Sequence, residues 1–114
     1  MSNAVVRIER LRCVDPQDSL TDEVKMQQDG RQVWPNTGDG FFSMSTGNEV
    51  GMDLVLPFND ATRITLFDDE DFGPDDNMGT VEIFKNEEGG LRTKDIVGPG
   101  SRYTIFYKVK SLDF

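Results

Sequence analysis

Ile64-Thr65-Leu66-Phe67-Asp68-Asp69-Glu70-Asp71-Phe72-Gly73-Pro74-Asp75-Asp76-Asn77-Met78-Gly79-Thr80-Val81-Glu82-Ile83 is the stretch that decides the fold. Ile64 and Leu66 alternate with Thr65 and Phe67, and Val81 and Ile83 alternate with Thr80 and Glu82. Period two is the mark of a strand with one buried face. Between the two strands, Asp68 to Asp76 puts six carboxylates into nine residues with no lysine or arginine among them. Carboxylates held a few ångströms apart raise one another's pKa and repel, unless water, salt or a bound ion neutralises them. A hard cation such as calcium, which takes roughly six to eight oxygen ligands in flexible geometry, suits such a loop. A solvated acidic turn is the plainer use of a charge run.

The same alternation extends in both directions. Val50, Met52, Leu54 and Leu56 line one face of a strand, and Tyr103, Ile105, Tyr107 and Val109 line another, opposite Thr104, Phe106, Lys108 and Lys110. Asp29-Gly30, between Val24–Gln28 and Arg31–Trp34, signals a hairpin of the type that needs positive φ. Pro35 to Gly40, Thr46-Gly47-Asn48, Asn86 to Gly90 and Gly98-Pro99-Gly100 supply further turns. No segment carries a sustained helical period. Seven or eight short strands at this spacing predict an all-β protein, an antiparallel sandwich.

With 114 residues, one domain over residues 5–114 is expected. Ser2-Asn3-Ala4 resembles the remnant of a cleaved expression tag, so residues 1–4 are expected to be such a remnant or a disordered start. Twelve basic residues face twenty-one acidic ones, for a formal charge of -9 and a pI near 4.3. That balance argues against unassisted binding to nucleic acid or anionic lipid; an anionic partner would need a bridging cation. The sequence has no histidine, which excludes histidine-based triads, histidine zinc sites and imidazole proton shuttles. The single cysteine, Cys13, forms no internal disulfide and reads as a buried thiol at a strand end. No apolar run approaches a membrane span and no signal peptide is visible, so a cytoplasmic location is the default expectation, with an extracellular one open if a leader has been removed.

The segment Asp68–Gly79 resembles the third calcium loop of C2 domains: an acidic residue, a second two places on, a third six later, then an apolar residue and glycine. Asp68, Glu70, Asp76, Met78 and Gly79 fall on those places. Ile64–Phe67 looks like the family's sixth strand and Thr80–Ile83 like its seventh. A second acidic loop, Val14 to Val24, is similar to C2 loop one, with Thr21-Asp22-Glu23-Val24-Lys25 at the entry to the next strand and Asp15 or Asp18 as the earlier ligand. The resemblance implies a non-enzymatic sandwich that binds one to three calcium ions between two loops. Asp15, Asp18 and Asp22 would hold one side, and Asp68, Glu70 and Asp76 the other. Asp69, Asp71 and Asp75 are expected to face solvent or to add outer charge.

Glu70 stands where aspartate is commoner, the Pro-Tyr of the loop-one entry is replaced by Glu23-Val24, and no lysine-rich strand follows. Calcium-dependent binding to an anionic membrane or a protein is the implied use. A calcium-independent interaction or structural sandwich, contacting its partner through strands such as Tyr103–Lys110, is the alternative. Carboxylate-only catalysis, such as glycoside hydrolysis, would need a cleft between an acid and a base. An EF-hand frame starting at Asp71 matches at Met78 and Glu82 but puts Asp76 where the sharp turn needs glycine. Phe72 is either a tip residue for a bilayer or a staple packing the loop, and Trp34 either lines a surface or belongs to the core rim.

Parity sets one further condition. Two loops that follow different strands share an end of a sandwich only if an even number of chain reversals separates those strands. Taking Val24–Gln28, Arg31–Trp34, Phe41–Ser45, Val50–Leu56 and Thr62–Phe67 as separate strands gives an odd number. The two acidic loops therefore meet only if Arg31–Trp34 and Phe41–Ser45 form one interrupted strand, or a local excursion, bulged around Pro35–Gly40.

Overall fold

In the computed structural model, residues 2–17, 20–36, 40–70 and 73–112 are described. They form β1 (Ala4–Asp15), β2 (Thr21–Gln28), β3 (Arg31–Trp34), β4 (Phe42–Ser45), β5 (Glu49–Phe58), β6 (Ala61–Asp68), β7 (Asp76–Phe84), β8 (Arg92–Gly98) and β9 (Ser101–Ser111). One antiparallel sheet has the order β5-β1-β9-β8, and the other has β3-β2-β6-β7 with β4 also on β2. The architecture is an all-β antiparallel sandwich. β8 escapes the alternation test because Ile96 is its one buried side chain.

Alternation places the core. Val6, Ile8, Leu11 and Cys13 of β1, Met26 of β2, Ile64 and Leu66 of β6, and Tyr103, Ile105 and Tyr107 of β9 are all fully buried. Each such aliphatic side chain contributes roughly 1.5–3 kcal/mol relative to exposure. In β1 the phase slips between Ile8 and Leu11, where two polar residues, Glu9 and Arg10, stand together. A bulge in the pairing with β9 absorbs the extra residue and returns Leu11 to the interior, while the shift against β5 places its extra residue on β5, at Met52-Asp53. Phe106 lies on the outer face yet is only 8 % exposed, because the Arg10 guanidinium covers its ring at 4.0 Å and that of Arg12 stands 5.2 Å away.

The parity condition is met on the edge of β2. β3 pairs with Met26–Gln28 and β4 with Thr21–Val24, both antiparallel, while β6 occupies the other edge. β3 and β4 are thus one strand interrupted at Pro35–Gly40, and across the interruption Trp34 packs against Phe42, the rings tilted by 39° with centroids 5.5 Å apart. Trp34 is half-buried and packs on the core, so it belongs to the rim. The ends of β1 and β6 and the starts of β2 and β7 consequently share one end of the sandwich. Asp29 and Gly30 both have positive φ, as the hairpin turn requires.

Candidate metal site

Asp68 is the last residue of β6 and Asp76 the first of β7, and the two face each other on the final rung of their ladder. A bulge decides that pairing. Thr65 pairs with Thr80 but Phe67 with Asn77, so Met78 and Gly79 together oppose Leu66. Without the extra residue Asp68 would face Asn77, and Asp76 would turn to the other side of the sheet. Gly79 makes the bulge possible with a φ of +114°, and a Cβ there would come within 2.5 Å of the Val97 carbonyl oxygen. Met78 is fully buried, and Asn77 Oδ1 accepts from the Gly79 N–H at 2.8 Å.

Glu70 joins the pair. One carboxylate oxygen from each of Asp68, Glu70 and Asp76 lies within 4.8 Å of the others, with Asp68 buried, Glu70 half-buried and Asp76 exposed. Asp68 is fixed from loop one: its Oδ1 accepts from the Glu23 N–H at 2.8 Å, and the Asp69 N–H donates to the Glu23 carbonyl at 2.8 Å. The start of β2 and the end of β6 are thereby clamped together. All three donors are hard oxygens converging from one loop, which is the donor chemistry of a hard divalent cation and not of a soft metal.

Two of the remaining carboxylates are engaged differently. Lys25, on β2, reaches across to Asp69 Oδ1 at 2.6 Å and Asp75 Oδ2 at 2.9 Å. The three side chains retain 19 %, 23 % and 30 % of their exposure. Asp69 and Asp75 therefore hold a cation from the chain itself rather than facing solvent. Hydrogen bonds donated to Asp69 and then to Asp75 push the Lys25 ammonium above its ordinary pKa, and Lys25 in turn holds Asp75 below the usual carboxylate value. The other oxygen of Asp75 accepts from the Glu70 N–H at 3.1 Å. Asp71 and Phe72 lie outside the described residues.

Loop one contributes in another way. Asp22 is fully buried, and its Oδ2 accepts from the Tyr103 hydroxyl at 2.6 Å and from the Gln17 N–H at 2.8 Å. Burial, then Asp22, pushes the Tyr103 phenol far above its ordinary pKa, so it stays a donor. Cys13 sits beside it, buried, with its thiol pushed up first by desolvation. Asp15 is exposed at the end of β1, in register with Arg102. Asp18 lies outside the described residues. Of the six residues singled out from sequence, the cluster thus holds Asp68, Glu70 and Asp76.

Three residues at this end carry weak sequence signals. Lys25 stands remote from the acidic run and meets it only through the β2–β6 ladder. Tyr103 reads as an ordinary core aromatic, although its hydroxyl must find a partner when buried. Leu20, in loop one, is 78 % exposed, an apolar side chain at the same end as the carboxylates.

Two sheets of this connectivity, with acidic loops gathered at one end, define a C2-like sandwich. Comparison with solved structures agrees on the fold. One described as the structure of a C2 domain superposes with a TM-score of 0.52 at 15 % identity, covering 96 % of this chain and 99 % of that one. A C2 domain of a plant extended synaptotagmin 1 gives a TM-score of 0.50 at 12 % identity, covering 99 % and 97 %. No family model and no curated protein sequence matches the chain.

Proposed function

We propose that this protein is a non-enzymatic calcium-binding module that uses the ion to dock its loop end on an anionic membrane. One observation carries the reading: carboxylate oxygens of Asp68, Glu70 and Asp76 converge within 4.8 Å at the end of the sandwich where loop one also lies. Asp68 and Glu70 would hold the ion from the buried side and Asp76 from the solvent side, with Asp15 and Asp18 of loop one as candidates to complete the shell. The Asp22 carboxylate, held by Tyr103 and Gln17, supports the loop-one backbone from beneath. Calcium would supply positive charge between the acidic loops and anionic headgroups, which a chain of net charge -9 would otherwise repel. Exposed Leu20, in loop one, offers an apolar side chain at the same end of the sandwich.

Thermal unfolding in chelator and in millimolar calcium tests the metal site. At a hundredfold excess over the dissociation constant the ion stabilises the fold by about 2.7 kcal/mol, on the order of 10 °C in melting temperature for a domain of this size. Asp68→Asn and Asp76→Asn should abolish that rise. An unchanged melting temperature in the wild-type chain would refute the site. Co-sedimentation with phosphatidylserine-containing vesicles then tests docking: binding should require calcium and weaken in Leu20→Asp. Vesicles that stay free of protein in calcium would leave a metal site without a membrane role.

A further inference from the structure

We infer that Lys25 is a tethered cation that fills one of the cation places of the acidic loop, so that the protein takes one calcium ion fewer than the loop's carboxylates would otherwise hold. The inference rests on the calcium reading above and specifies how that site is regulated. Its ground is geometric. Lys25 Nζ lies 2.6 Å from Asp69 Oδ1 and 2.9 Å from Asp75 Oδ2, bridging two carboxylates of the loop as an ion would. Its stem leaves β2 opposite Phe67, one residue before Asp68, so the backbone ladder delivers the charge to this place.

The ammonium is also linked to the metal cluster through one residue. Asp75 holds Lys25 through Oδ2 and the Glu70 N–H through Oδ1, and Glu70 is one of the three converging carboxylates. Lys25 thereby orders Asp75, and Asp75 orders the backbone of Glu70, before any metal arrives. Among the described residues the loop carries five carboxylates, Asp68, Asp69, Glu70, Asp75 and Asp76; Lys25 cancels one charge and leaves the Asp68 cluster as the place for an exogenous ion. A half-buried pair of this kind is screened less by salt than a surface pair, so the place stays filled at physiological ionic strength.

Calcium titration calorimetry on wild type, Lys25→Met and Lys25→Arg tests this, together with melting temperatures in chelator. Lys25→Met should bind one more ion than wild type, while Lys25→Arg, which keeps the charge, should match wild type. In chelator Lys25→Met should melt lower than wild type, and calcium should close the gap. Adding Asp69→Asn and Asp75→Asn to Lys25→Met should return the count to that of wild type. If Lys25→Met does not fold in chelator, Lys25→Gln, which retains a polar contact to both carboxylates, gives the same comparison. Equal ion counts in wild type and the neutral variants would overturn the inference and leave the calcium site standing. Calcium binding by the neutral variants alone would overturn the calcium reading of the wild type and support the role of Lys25. Binding by none of them would overturn both.

Discussion

Tyr103 joins two parts of the molecule that are far apart in sequence. Its ring is fully buried in the core, and its hydroxyl donates to Asp22, which has no exposure. A buried carboxylate costs stability unless donors surround it. Tyr103→Phe removes one donor while keeping the ring, and should destabilise by about 1.5–3 kcal/mol, the range for a hydrogen bond to a charged group. Urea unfolding should show the lowered midpoint with an unchanged slope. The acidic run illustrates what sequence alone reads at this scale. Spacing against Gly79 separates Asp68, Glu70 and Asp76 from the other carboxylates, because the motif counts residues along one hairpin. It is silent on Asp69 and Asp75, whose partner Lys25 arrives from another strand.

At the scale of the elements, the two sheets close against each other along β7 and β8. Gly98 lies so near the Met78 backbone that a Cβ would sit 2.5 Å from its carbonyl carbon and oxygen, and Gly79 makes the reciprocal approach to Val97. Neither neighbour is the movable end of a side chain. Gly98→Ala should therefore cost about 1–3 kcal/mol through overpacking, whereas Gly90→Ala, with nothing within 4 Å of its Cβ position, should stay within roughly 0.5 kcal/mol of wild type. Thermal melts of the two variants side by side would separate close packing from a general aversion to losing glycine. Because Gly79 also hosts the bulge that sets Asp76 opposite Asp68, the seam and the cluster share one backbone feature.

At the scale of the whole molecule, twelve residues of β1, at about 3.3 Å each, run along most of the 47 Å long axis, with the acidic loops at one end. Toward the other end, Glu87 ties the sheets together. Its carboxylate accepts from the Phe84 N–H of β7 at 2.8 Å, from Lys94 of β8 at 2.9 Å, and from the Tyr107 hydroxyl of β9. Burial opposes the charge on Glu87, but these donors outweigh it and hold its pKa below the ordinary glutamate value. A depressed folded pKa contributes stability that is fully present above the unfolded value, about 4.3, and is lost as pH falls through the folded value. Denaturant midpoints should accordingly fall below pH 4, and Glu87→Gln should flatten that acid limb. Tyr107, raised first by burial and then by Glu87, keeps its share of stability until the solution becomes strongly alkaline.

Alternating residues, turn formers and the absence of histidine by themselves determined an all-β sandwich and ruled out imidazole chemistry, since period two and turn propensity are local properties of the chain. The joining of β3 and β4 into one interrupted strand was legible only as a condition, because parity constrains direction without supplying contacts. Which carboxylates converge, which hold Lys25, and that Asp22 is turned to Tyr103 were decided by tertiary structure. Those pairings cross between strands and sheets, and charge balance over such distances depends on where the ladders bring each side chain.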